Sequence, residues 1–174
     1  LALVLASDHL ARPAASAFYG AYLVAACMAI GLFWWVARPA SRFGPLLIAY
    51  GVCAWLIRLQ GSNDPLIYDI GVLAQAPGFV LVFYLFLSYP MGRLEPAAAR
   101  WLWVVLVVET VAVFIPRVLL SPVISGGGPL DRCVPECPEN VLQVASAPKL
   151  AEALGKVGTY VLLVFVVAVL VVYA

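Results

Sequence analysis

The chain has 174 residues, of which 65% are hydrophobic and only 11% charged, with a mean hydropathy of +1.04. A soluble domain carries roughly a quarter charged residues, so too little polar material remains to wrap this chain in water, and part of its solvent is lipid. A formal net charge of +1 without a basic tract excludes a nucleic-acid binder working through phosphate neutralisation.

The sequence opens at Leu1 rather than Met and closes at Ala174 inside an apolar run, so both ends read as cut. Residues 1–6 (Leu-Ala-Leu-Val-Leu-Ala) are expected to be the tail of a further span, and no signal-peptide order of basic, apolar and small residues precedes the first long apolar stretch. Five such stretches follow, at about 18–36, 44–59, 66–88, 101–120 and 154–174. Each is near the ~20 residues that cross ~30 Å of hydrocarbon as a helix. Tyr19, Trp34, Trp35, Trp55, Tyr68, Tyr84, Tyr89, Trp101 and Trp103 mostly lie towards span ends, as in an aromatic belt. The expected fold is an all-α, polytopic transmembrane helix bundle with about five spans, six in an intact protein.

The loops set a direction. Loop 37–43 carries Arg38 and Arg42 with no acid, and loop 89–100 carries Arg93 and Arg100 against Glu95 alone. Loop 61–65 has Asp64 and no base, and 7–17 pairs Asp8 with Arg12. Short basic loops stay in the cytoplasm, so the two arginine loops are predicted inside, segment 121–153 outside, and the last helix inward-bound.

Within the outer segment, 125–140 is dense in glycine and proline and therefore irregular. Cys133 and Cys137 are four apart on the side where disulfides form. A bridge stapling a small loop is the simplest reading; a redox-sensitive thiol pair or half of a metal site are the alternatives. The single histidine, His9, lies on a different outer loop, and Cys27 and Cys53 read as small apolar fillers within spans. Residues 141–156, interrupted by Pro148, are expected along the outer membrane surface.

Ionisable residues inside spans are functional candidates by default. Glu109 falls near mid-depth of the fourth span; its structural reading is a hydrogen-bonded carboxyl that holds the bundle together. Gln75, followed by Pro77 and Gly78, predicts a kink in the third span, and Pro116 beside Arg117 a kink or end in the fourth. Gln75, Glu109 and Arg117 are candidates for one polar intramembrane site. Arg58 and Asp69 flank the 61–65 loop at similar depth and are a candidate structural ion pair. No catalytic constellation or resident cofactor site stands out, and Gly126 to Gly128 read as a flexible loop rather than a nucleotide cradle.

Two patches carry a resemblance. Leu87-Ser88-Tyr89-Pro90-Met91-Gly92-Arg93-Leu94 is similar to a Phe-Pro-Ser-Gly-Arg-Leu type motif of actinobacterial sensor histidine kinases. The run Cys133-Val134-Pro135-Glu136-Cys137-Pro138-Glu139-Asn140-Val141-Leu142 resembles their external Cys-x-x-Cys-Pro-x-Asn-x-Leu segment, with one more residue between the cysteines. The resemblance implies a membrane sensory domain over residues 1–174, located in the plasma membrane. It also implies a cytoplasmic continuation with a phosphoacceptor histidine and an ATP- and Mg-dependent kinase domain, a homodimer, and a response regulator as phosphorelay partner. Similar membrane regions also precede nucleotide cyclases. A small transporter or permease fragment, and a passive membrane anchor, are the rival readings. Pro90 and Gly92 stopping a helix, with Arg93 at the headgroups, would account for the first patch on structural grounds alone.

Overall fold

A computed structural model describes residues 1–95, 97–124, 132–134 and 136–173. Gly126 to Gly128, Pro135 and Ala174 lie outside the described residues. The helices in chain order are α1 (Ala2–Leu5), α2 (Pro13–Ala37), α3 (Phe43–Ile57), α4 (Pro65–Leu73), α5 (Gln75–Ser88), α6 (Ala97–Glu109), α7 (Ile115–Leu120) and α8 (Pro148–Tyr173). A 3₁₀ turn, Arg58–Gly61, extends α3, and a π-helical turn, Thr110–Phe114, joins α6 to α7. The segments combine into five rods long and apolar enough to cross a membrane: Pro13–Ala37, Phe43–Gly61, Pro65–Ser88, Ala97–Leu120 and Pro148–Val171. The protein is a multi-pass membrane helix bundle.

The packing is that of a protein whose outside is lipid. Phe18, Val36, Phe86 and Val171 are 70–84% exposed, whereas Ala17, Cys27, Ala54 and Ala99 are buried. Small residues inside let helix backbones approach where no hydrophobic force drives association. The clearest case joins α2 to α3. A Cβ on Gly44 would stand 2.6 Å from the Trp35 nitrogen and 2.7 Å from the Gly31 carbonyl oxygen, so the two backbones touch there.

The last rod corrects one expectation. It begins at Pro148, not near 154, so 148–156 is helix rather than a surface-lying segment. Proline suits a first helical turn, where its missing N–H is spare, and Glu152 and Lys156 pair one turn apart at 2.7 Å on the exposed side.

Loops gather at the two ends as the charge pattern requires. At one end the arginine loops are tied together: Ser41 Oγ donates to the Pro90 carbonyl at 3.1 Å and the Arg42 N–H donates to that of Met91 at 3.3 Å. Gly92 takes a positive φ of 71°, and a Cβ there would meet the Phe43 nitrogen, so glycine is required on both counts. Tyr89 packs edge to face against Trp34 and Phe43, which are tilted against each other, and Arg38 lies over the Trp34 ring at 4.8 Å. At the other end, residues 1–12, the 58–64 turn and the described parts of 121–147 meet in one cap.

Two measurements check this architecture. Single cysteines replacing Arg42 and Val144, both exposed, should react with an impermeant maleimide from opposite sides of sealed vesicles. Gly44→Ala should lower stability by about 1–3 kcal/mol, read as a lower unfolding midpoint in detergent, because the added methyl meets backbone rather than a movable side chain.

Candidate functional site

The cap is built on Tyr68, near the start of α4 and 1% exposed. Its hydroxyl donates to the Ile124 carbonyl at 2.6 Å and lies 3.7 Å from Cys133 Sγ. His9 packs edge-on against the Tyr68 ring, and its Nε2 is 2.9 Å from the Gln60 carbonyl oxygen. Cys133 and Cys137 are joined by a disulfide with Cα atoms 5.1 Å apart, within the range a bridge tolerates. Backbone bonds run from Ala11 N–H to the Arg132 carbonyl and from Val134 N–H to that of His9, fastening the cysteine loop to the N-terminal segment. The stapled loop thus forms a lid over α4 and α7.

Asn140 and Asp69 fix that lid to the rods. The last turn of α7 leaves carbonyls without helical donors. Asn140 Nδ2 fills this need, donating to the carbonyls of Val118 at 2.6 Å and Ser121 at 2.7 Å, while its Oδ1 accepts from Leu142 N–H. Asp69 is fully buried, and its Oδ2 accepts from the N–H groups of Val141 at 2.8 Å and Leu142 at 3.3 Å. This corrects the expected Arg58–Asp69 ion pair. Asp69 faces the loop after the cysteines, whereas Arg58 turns the other way and donates through Nη1 to Ser16 Oγ on α2 at 3.3 Å. Similar depth was legible in the sequence; helix rotation was not.

Beneath the cap lies a cleft of about 660 Å³, inside the usual range of roughly 300–1,000 Å³ for ligand pockets. The rods form an arc in which α3 packs on α2 and α5, α5 on α6, and α8 on α6 and α7. The arc's ends, α2 and α8, are not among the closely packed pairs, and both line the cleft. Gln75, Glu109 and Arg117 all line this cleft, and Arg58 joins them. Gln75 opens α5 just after the rod breaks at Ala74, and Glu109 closes α6 just before the π turn. Pro77 cannot donate to the carbonyl of Leu73, nor Pro116 to that of Ala112, so both irregularities follow from the prolines. Thr110 Oγ1 back-bonds to the Leu106 carbonyl at 2.9 Å within the same wall.

Two glycines on α8 complete the site and escaped the sequence reading. A Cβ on Gly155 would stand 3.3 Å from Arg117 Nε, and one on Gly158 3.0 Å from Glu109 Oε1. These positions leave room for a guanidinium and a carboxyl against the helix surface. Their three-residue spacing puts them on one face, a signal visible in the sequence once the partner helix is known. Among the described residues neither Glu109 nor Arg117 is ion-paired. The single histidine belongs to the cap, and the polar groups of the cleft are charged, amide and hydroxyl side chains.

Asn140→Ala should cost about 2 kcal/mol or more, since it orphans two carbonyls at the end of α7, and should free the cysteine loop. Faster proteolysis after residue 121 and a lower unfolding midpoint would show it; an unchanged midpoint would contradict the capping role. No known family model, curated protein or solved structure matches the chain.

Proposed function

We propose that the chain is the signal-input module of a two-component sensor histidine kinase in the plasma membrane. In this reading the arginine loops are cytoplasmic, the stapled cap is extracytoplasmic, and α8 leads towards a cytoplasmic ATP- and Mg-dependent kinase domain that acts as a dimer on a response regulator. One observation supports it above the others. The cap is hydrogen-bonded both to α4, through Tyr68 and Asp69, and to the end of α7, through Asn140. α7 and the π turn in turn pack on α8. A stimulus that moves the cap or fills the cleft therefore acts on the helix that leaves for the opposite face. Differential binding worth about 1 kcal/mol would change the balance of two helix arrangements about fivefold.

The test is autophosphorylation of the longer gene product in nanodiscs, with and without Cys133→Ser/Cys137→Ser and Asn140→Ala. A severalfold change in phosphorylation is expected for each. A stop codon shortly after Ala174 would remove the kinase reading altogether. An active kinase indifferent to these substitutions would leave a passive anchor.

The cleft itself favours a second reading. Broken helices lining a polar pocket at membrane depth are also how transporters bind cargo. Solute flux in proteoliposomes that disappears with Glu109→Gln would select a transporter instead.

A further inference from the structure

We propose that the cleft binds a free α-amino acid with an apolar side chain, its ammonium at Glu109 and its carboxylate at Arg117. The site does not depend on the kinase reading, and a chain with no kinase attached should bind the same ligand.

The last helix fixes how far apart the two ionisable groups stand. A Cβ on Gly155 would lie 3.3 Å from Arg117 Nε, and one on Gly158 3.0 Å from Glu109 Oε1. Cβ positions three apart on a helix are about 5–6 Å from each other, so Oε1 and Nε are separated by at most about 12 Å. They do not meet, because among the described residues neither side chain has an ion pair or a hydrogen bond. A carboxyl and a guanidinium thus line one cleft beyond the ~4 Å of an ion pair, yet near enough for one small molecule to reach both.

That spacing selects the ligand. Charge-assisted hydrogen bonds are about 2.7–2.9 Å long, so one at each end leaves room for a molecule whose own charges lie within about 6 Å. An α-amino acid, with ammonium and carboxylate on one carbon, fits the gap, and the planar fork of a guanidinium suits the carboxylate. A simple cation would leave Arg117 without a counter-charge, and a simple anion would leave Glu109 without one. Arg58, bonded to Ser16 on α2, does not enter this balance.

The other walls select the side chain. Leu23, Ile57, Phe79, Val82 and Leu162 line the same cleft and offer apolar contact. Its volume of about 660 Å³ holds any amino acid, whereas the two acyl chains of phosphatidylethanolamine, whose headgroup carries the same pair of charges, exceed it. The free amino acid is therefore the occupant the volume favours.

Isothermal titration of the full chain in non-ionic detergent tests this with five probes. Phenylalanine carries all three features, hydrocinnamate lacks the ammonium, phenethylamine lacks the carboxylate and glycine lacks the side chain; dioleoyl phosphatidylethanolamine supplies the lipid headgroup. Phenylalanine should bind at least about tenfold more tightly than each of the other four, since each charged hydrogen bond contributes roughly 1.5–3 kcal/mol. Glu109→Gln should weaken phenylalanine about tenfold and leave hydrocinnamate unchanged, while Arg117→Gln should weaken phenylalanine and leave phenethylamine unchanged. A merely structural role for either residue would weaken all probes together. No binding of phenylalanine, equal binding of hydrocinnamate or phenethylamine, or undiminished phenylalanine binding by folded Glu109→Gln or Arg117→Gln would each overturn the site. Tighter binding of the phosphatidylethanolamine would overturn the amino acid in favour of a lipid headgroup. Where a variant fails to fold, the probe comparison on the unaltered chain decides.

Discussion

Everything in this fold answers to one constraint: within hydrocarbon, a backbone N–H or C=O without a partner costs several kcal/mol. Three of the five rods begin on a proline, and two depart from regular helix within their length, at Ala74 and at Thr110–Phe114, while a third ends in the 3₁₀ turn Arg58–Gly61. Both departures lie on the wall of the cleft, where Gln75 and Thr110 add polar side chains. The lipid-facing surface is left to Phe18, Phe86, Val164 and their like. Irregular backbone thus collects where protein, not lipid, surrounds it. The cleft is therefore a consequence of where the helices are allowed to break as much as of which side chains point inward.

The same constraint explains the cap. A helix that ends at Leu120 presents open carbonyls, and Asn140 and the N–H groups of Val144 and Ala147 come back to meet those of Val118, Leu119 and Leu120. The disulfide holds a short loop that has almost no apolar core of its own, only the underside of Cys133 and Cys137 against Tyr68, Val72, Val118 and Ile124. Closing so small a loop contributes little chain entropy, so its value is shape: it presents the 140–142 amides to Asp69. Polar groups which would be unremarkable in a soluble loop become the fasteners between cap and membrane rods.

The spans were legible because the hydrophobic signal is strong and the length of a bilayer crossing is fixed; the alternation of loops along the chain put those of Arg38, Arg42, Arg93 and Arg100 at one end, where they do meet. Gln75, Glu109 and Arg117 were legible as a group because charge and proline are rare inside spans, and the structure sets all three around one cleft. What was not legible is rotation. Arg58 and Asp69 sit at similar depth, but one faces Ser16 and the other the 141–142 amides, and no periodicity in apolar rods announces which face is inward. Residues 148–154 were misplaced for a related reason: Pro148 reads as an interruption unless the helix is known to begin there. Gly155 and Gly158 gained meaning only with Arg117 and Glu109 placed against them.

The two ends of the bundle are held unequally, and this decides which wall of the cleft can move. At the arginine end, Gly92 is wedged against Phe43 and Ser41 bonds to Pro90, so α2, α3 and α5 are locked by contacts that involve backbone. Of an 18-residue apolar stretch of the rod Pro65–Ser88, 33% is buried, but of one in Pro148–Val171 only 6%. α8 is thus the rod with least to lose on shifting. One of its anchorages is Phe165, 3% exposed and edge-on to Phe83 at 5.0 Å, in a cluster with Leu87, Ala99 and Leu106. That grip lies ten residues below Gly155, roughly 15 Å along the helix. The upper part of α8 is held as well, by packing on α7 and the π turn, where Ala151 is buried and Gly155 and Gly158 lie against Arg117 and Glu109. Its two anchorages thus lie at different depths, one towards the cap and one towards the face of the arginine loops.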